Sequence, residues 1–385
     1  WRLATTRAHY SPPNADGYTF VGWRPSWFNN RKAVLQKSKR FKGQTDGKGD
    51  HHLNIDFESM GMPQPVSIRA SGTITDLNRQ AWTASKALLV HPSANYVGLK
   101  TKRYFIKRGE PLKVTSIVVD LAGKRVSGRP VTMTASRLQY RYRKGKWLSA
   151  EVEKQTCELT SAETPKECLF KSDTGGTYLI AAEVRDAHGR LSRTEMMRWV
   201  SGGTSPPRRN VEKEAVPLIA DKTEYSPGDK AEILVQAPFF PAEGLLTVRR
   251  RGIVEERRFS MTEATTTLVV PLTAAHYPSL KVQVDLLGSA PRLTAKGETD
   301  SKLQRRPAFA SGIVSLSIPP RDKALTVEAK LEKQTVAPGA QANITLVVTD
   351  AQGRPVRDSE IALVVVDEAV LALNGYRIRN PPSTF

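Results

Sequence analysis

The sequence predicts an all-β chain of tandem antiparallel sandwiches. Three observations carry that reading. Val and Thr recur in short alternating runs, and Pro 25 and Gly 26 supply turn residues throughout the 385 residues. A strand–turn–strand signature built on Asp recurs along the chain. Three turn glycines repeat at the spacing of a domain. No stretch keeps a helical apolar period beyond about three turns, so the pattern gives helices little support.

The Asp signature occurs in four segments. They are GTITDLNRQAWTASKALLV from Gly72, TSIVVDLAGKRVSGRPVTMTA from Thr115, AAEVRDAHGRLSRTEMM from Ala181 and ITLVVTDAQGRPVRDSEIALVVVD from Ile344. In each, an alternating strand ends in Asp, as at Asp120 and Asp350, and a Gly or Asn and a basic residue follow. An Asp carboxylate can accept hydrogen bonds from its own turn, and Gly takes positive φ cheaply.

The second signature places Gly109 in YFIKRGEPLKVTSIVV, Gly228 in EYSPGDKAEILVQAP and Gly339 in QTVAPGAQANITLVV. These glycines lie 119 and 111 residues apart, too far for a solenoid and right for sandwiches of about 100 residues. Composition sets the boundaries at HPSAN, SGGTSPPRRN and IPPRDK. The expected units are 1–94, 95–201, 208–321 and 322–385. The first is expected to lack its initial strands, and the last, of about 60 residues, is small for a core of its own.

The net charge of +20 is densest in RYRKGKW (Arg141 to Trp147) and RRRGIVEERR (Arg249 to Arg258). The second carries two Glu and alternates like a solvated hairpin. Without an RNA-binding signature, zinc finger or basic helix, the charge reads as a soluble surface and implies no nucleic-acid partner. No apolar run is long enough to span a membrane. The chain opens on WRLATTRAHYSPP without an initiator Met or signal peptide, and reads as a piece of a longer protein.

The candidate sites are few. Cys157 and Cys168 enclose a polar insert between two predicted strands, so a disulfide there is expected, with an oxidising compartment as its consequence. Two reduced thiols are the alternative. DGKGDHHLNID (Asp46 to Asp56) gathers oxygen and imidazole groups, but it departs from the EF-hand pattern, and a polar hairpin explains it more simply. No metal site is assigned. No catalytic motif is present, and no His pairs with a nucleophile, so no enzyme is expected.

IALVVVDEAVLAL (Ile361 to Leu373) sets two carboxylates inside an apolar stretch. Asp367 can cap a helical turn, and Glu368 in its first turn suits the helix dipole. The pair reads as the end of a buried strand and the start of a short turn, rather than as chemistry.

The same block resembles a family signature. VVVDEAVLALNGY is similar to the Val-Asp-Glu-x-Val-Leu-x-Leu motif of bacterial alpha-2-macroglobulins, with Asp367, Glu368, Val370, Leu371 and Leu373 at the motif positions. EYSPGDKAEILVQAPF with LLTVRRRGIVEERRF, and HPSANYVGLKTKRYFIKRGEPLKV, resemble other segments of that family in the same order. The resemblance implies macroglobulin-like domains, which are sandwiches of the immunoglobulin and fibronectin type. It implies a broad-spectrum endopeptidase inhibitor in which a protease cuts a bait region and is trapped. It also implies a periplasmic or cell-envelope parent, often lipid-anchored, sometimes beside a penicillin-binding protein. Membrane contact is then expected only through a lipid anchor outside this stretch, and no cofactor is implied. The family's Cys-x-Glu-Gln thioester motif is absent, since Cys157 precedes Glu158, Leu159 and Thr160 and Cys168 precedes Leu169, Phe170 and Lys171. The chain is expected to end at the approach to the bait region. The competing reading is a cell-surface structural or adhesive protein of immunoglobulin-like repeats.

Overall fold

The computed structural model describes residues 1–22, 37–54, 64–75, 78–143, 146–203, 215–293, 299–300, 302–333, 335, 337 and 339–366. Its regular structure is β apart from two single 3-10 turns, at Ala274–His276 and Arg321–Lys323. Among the described residues no helix is long and apolar enough to cross a membrane.

The first sheet pairs β1 (Arg2–Arg7), β2 (Lys37–Arg40), β3 (Val66–Thr75) and β4 (Ala81–Val90) in the order β2-β1-β3-β4, all antiparallel. It is covered only in part. Leu3, Val66 and Ile68 are buried, whereas Ile74, Trp82 and Leu88 stay exposed.

The second unit is a full sandwich. It uses β5 (Asn95–Lys100), β6 (Phe105–Ile106), β7 (Leu112–Asp120), β8 (Pro130–Arg143), β9 (Lys146–Thr160), β10 (Lys166–Phe170), β11 (Gly176–Arg185) and β12 (Leu191–Val200). One sheet runs β10-β7-β5 and the other β6-β12-β11-β8-β9. Alternation directs the packing: along β12, Ser192, Thr194, Met196, Arg198 and Val200 are buried while their neighbours are partly exposed. Val97, Leu99, Val114, Met133, Ile180 and Met196 fill the core between the sheets.

The third unit repeats the plan with β13 (Leu218–Ala220), β14 (Lys230–Gln236), β15 (Ala242–Arg249), β16 (Ile253–Met261), β17 (Thr265–Pro271), β18 (Ser279–Ala290), a small hairpin β19 (Arg292–Leu293) and β20 (Thr299–Asp300), and β21 (Arg306–Ser317). Its sheets run β13-β14-β17 and β16-β15-β18-β21 around Ile233, Val235, Leu246, Val282 and Leu286. The Arg-rich stretch lies on the β15–β16 hairpin.

The last described sheet has two strands, β22 (Thr326–Leu331) and β23 (Ile344–Thr349). Here the structure departs from the sequence reading. Ile361 to Val366 were expected as a buried strand, yet they carry no strand assignment and are 44–80% exposed where large. A two-stranded ladder covers little, and no second sheet lies over it among the described residues, so apolar character alone does not bury this stretch. Asp367, Glu368, Val370, Leu371 and Leu373 fall outside the described residues.

Candidate functional site: the joints between successive units

The repeated Asp turn has one geometry. Asp120 Oδ1 accepts the N–H groups of Ala122 and Lys124, each at 2.9 Å. Asp186 Oδ1 accepts those of His188 and Arg190 at 2.9 and 3.0 Å. Asp350 Oδ1 accepts those of Gln352 and Arg354 at 2.9 Å. Gly123, Gly189 and Gly353 then close the turns at φ 81°, 74° and 77°. One Oδ1 thus satisfies two turn N–H groups, and the Gly supplies the left-handed residue. Asp46 does the same for Lys48 and Asp50 at 2.9 Å, with Gly49 at φ 86°. That copy is the segment weighed above as a metal candidate. Its Asp-x-x-Gly spacing was the signal, and among the described residues no metal-ligand cluster forms. His51 to Asn54 form no strand.

Gly109, Gly228 and Gly339 also sit in turns at positive φ, 86°, 94° and 82°. Gly109 N–H donates to Ser172 O at 3.0 Å and Gly228 N–H to Leu272 O at 2.8 Å, so each turn is tied to the chain just past the strand, β10 or β17, that pairs with the strand the turn leads into.

Cys157 and Cys168 are disulfide-bonded, with Cα atoms 6.2 Å apart. The two segments flanking the insert do not share a sheet. Cys157 is on β9 and Cys168 on β10, so the bond crosses the sandwich.

The joint between the first two units is built by residues 10–22, which pack on the second unit. Thr19 bridges Leu99 on the edge strand β5, through N–H···O bonds of 2.8 and 2.9 Å. Phe20 is 2% exposed and lies where a Cβ on Gly98 would come within 2.5 Å of its ring. It joins Ala15, Val21, Tyr96, Ile117 and Val119 in a cluster of its own. Val21 N–H donates to Thr194 Oγ1 at 2.9 Å, and that hydroxyl donates to Val97 O at 2.6 Å. Gly22 meets the Glu195 backbone so closely that a Cβ would lie 1.8 Å from its carbonyl oxygen. Tyr10 donates to Leu121 O at 2.5 Å.

The Asp186 turn braces the same joint. Its second oxygen, Oδ2, accepts Ala94 N–H at 2.9 Å and Arg190 Nε at 2.7 Å. Burial pushes this carboxyl up, but the N–H groups of Ala94, Arg190 and His188 and the Arg190 guanidinium outweigh it. They hold Asp186 well below the usual carboxylate range.

The joint between the second and third units is smaller and more polar. Arg103 Nη2 reaches Glu232 Oε2 at 2.6 Å, and its Nε lies 3.9 Å from Asp221 Oδ2. Tyr104 N–H donates to Asp221 O at 3.0 Å, and Gly202 N–H to Thr265 Oγ1 at 2.8 Å. Asp221 is fixed from its own side, since Oδ1 accepts Tyr225 O–H at 2.8 Å and Glu232 N–H at 2.9 Å. Arg198 stacks 4.9 Å from the Tyr104 ring and donates to Met197 O at 2.7 Å, and burial lowers its guanidinium to about 10.

Arg103 and Glu232 are half-buried, with side chains 28% and 30% exposed. A double-mutant cycle of Arg103→Ala and Glu232→Ala is expected to give a coupling of about 1 kcal/mol by chemical denaturation. Additive effects would remove the ion pair as a brace. Sequence reading singled out neither residue, because each is an isolated charge until the fold brings them together.

Residues 216–373 match the family model of the alpha-2-macroglobulin bait region domain. The chain is 24% identical over 393 residues to an alpha-2-macroglobulin homolog of Nostoc sp., covering 99% of this chain and 20% of that protein. The chain is similar in sequence to a bacterial alpha-2-macroglobulin homolog along nearly its whole length. It is also 24% identical over 445 residues to circularly permutated Ras protein 2 of Dictyostelium discoideum, covering all of this chain and 11% of that one. Among solved structures it is similar to native E. coli alpha-2-macroglobulin, at 15% identity and a TM-score of 0.36, over 99% of this chain and 24% of that chain. The chain thus spans a fifth or less of the curated relatives it matches.

Proposed function

We propose that this chain is a stretch of scaffold from a bacterial alpha-2-macroglobulin-like endopeptidase inhibitor. The match of residues 216–373 to the bait region domain carries the reading. The braced run of sandwiches supports it. A protease trap needs units held at set angles before cleavage and released by a change at few contacts. The joint around Arg103 has that character: it is polar, half-buried and dominated by one ion pair. Both cysteines are spent in the disulfide, so neither supplies a thioester thiol. The same disulfide favours a periplasmic or envelope location. Its role is to hold and present, not to catalyse. Endopeptidases are the targets of the full-length protein, with a penicillin-binding protein and a lipid anchor outside this stretch as further contacts.

The test uses the full-length protein with trypsin or elastase, assayed on a small peptide and on a large protein. A trapped protease keeps its activity on the peptide and loses it on the large substrate. Equal activity on both, at excess inhibitor, overturns the reading for these enzymes. The sequence reading sets the approach to the bait near Phe385, whereas the matching family model ends at residue 373 and bears the bait region's name. Sequencing the first tryptic fragments locates the cut.

A further inference from the structure

The first sheet ends on an edge strand with little to guard it. β4 runs for 10 residues at the margin of the order β2-β1-β3-β4, and every residue on it but Val90 is exposed. It reads AWTASKALLV, with one charge, Lys86, and no Pro or Gly. Three other edge strands carry several charges each: β2 reads KSKR, β9 KWLSAEVEKQTCELT and β16 IVEERRFSM. Charge on an edge discourages a foreign strand, and a long edge with almost none is a template for one.

The register settles which backbone groups of β4 point outward. The Trp1 amino group donates to Phe41 O at 2.8 Å and Phe41 N–H to Trp1 O at 2.9 Å, so the odd residues of β1 bond towards β2. Its even residues then bond to the odd residues of β3, as Ala8 N–H does to Pro65 O at 3.1 Å. The even residues of β3 are left to bond the even residues of β4, Ile74 with Trp82 and Gly72 with Ala84 among them. The N–H and C=O groups of Ala81, Thr83, Ser85, Ala87 and Leu89 therefore face the open edge, and among the described residues no strand pairs there.

We propose that two copies of the chain associate through β4, antiparallel about a two-fold axis at Ser85, so that their first sheets become one. The strand is complementary to itself in this register. Ser85 meets the partner's Ser85 as a bonded pair, and Thr83 meets the partner's Ala87. Trp82 lies opposite the partner's Leu88, and these side chains are 73% and 46% exposed in the single chain. With Ile74 beside Trp82 and Ile68 beside Leu88, one apolar row runs across both sheets. Lys86 falls opposite the partner's Ala84. A slip of one residue sets outward backbone groups against inward ones. A slip of two sets Lys86 against the partner's Lys86 in one direction, and against its Trp82 in the other. An extended peptide of another protein could use the same edge, but it would not account for the match of β4 to itself. The inference goes beyond the protease-trap reading and does not rest on it.

The test is the mass of the whole chain in solution, by light scattering over a dilution series. Twice the mass of one chain is expected at high concentration, falling to one on dilution. Ser85 N–H faces the edge, so Ser85→Pro removes both bonds of the central pair and none within the sheet. The dimer should weaken about thirtyfold. Cysteine placement reads the register. Both native cysteines are held in their disulfide, and the Cα atoms of a bonded pair lie about 5.5 Å apart, within reach of a new one. Ser85→Cys should give a covalent dimer on oxidation. Thr83→Cys should not, until Ala87→Cys is added. Circular-dichroism melts check the fold of each variant, and the cysteine variants decide the matter if the proline variant does not fold. A single-chain mass at every concentration overturns the proposal and leaves the edge to another protein's peptide. So does a dimer unmoved by Ser85→Pro, or equal crosslinking through Thr83→Cys alone.

Discussion

Asp186→Ala is expected to destabilise the chain by about 3 kcal/mol and to loosen the first unit from the second. The carboxylate is 1% exposed and accepts four hydrogen bonds, from His188, Arg190 N–H, Ala94 and Arg190 Nε. Truncation removes the shared acceptor of all four, one of them a guanidinium, and that loss sets the magnitude. The same change at Asp350 removes a turn of the same geometry whose side chain is 22% exposed and holds no neighbouring unit, so about 1 kcal/mol is expected there. Thermal melts of both variants give the comparison, and equal losses would mean that the Ala94 contact contributes nothing. The pH dependence has a definite sign. The folded-state pKa of Asp186 is depressed, so its stabilisation is full above the unfolded value of about 4 and is lost as pH falls through the folded pKa. The stability gap between the wild-type chain and Asp186→Ala should therefore narrow in acid. A gap unchanged from neutral pH to well below 4 would contradict the depressed carboxyl.

Loss of the Cys157–Cys168 bond has the second large effect. It closes a short loop, with a sequence separation of 11, and chain entropy assigns such a loop about 3 kcal/mol. Because it joins β9 to β10, it also holds the two sheets of the second unit together at one edge. Cys157→Ala with Cys168→Ala, or reduction of the native chain, should lower the guanidinium midpoint of that unit by a matching amount. A midpoint unmoved by either would show that the core of Val97, Met133 and Ile180 holds the sheets without it.

The local chemistry of this protein was legible in its residues. Asp120, Asp186 and Asp350 and the glycines three positions on define their turns within five residues, and alternation along stretches such as LSRTEMMRWV fixes which side chains face inward. Both depend on neighbours in the chain, which is why the all-β class could be read directly. The Asp46 turn, read from sequence as a polar hairpin, obeys the same rule.

The joints were not legible, because their partners are far apart in sequence. Phe20 against Gly98, Val21 against Thr194 and Arg103 against Glu232 are contacts whose residues look ordinary in isolation. Burial likewise depends on what lies across from a strand. Ile361 to Val366 are as apolar as any core strand yet exposed, while the polar Thr194 and Ser192 are fully buried. Sequence alone determined the turns, the strand faces and the repeat of units, since each follows from backbone geometry over a few residues. Only the tertiary structure decided which faces are covered and how one unit is braced against the next, since those depend on contacts that exist only after the chain has closed loops of up to about 170 residues.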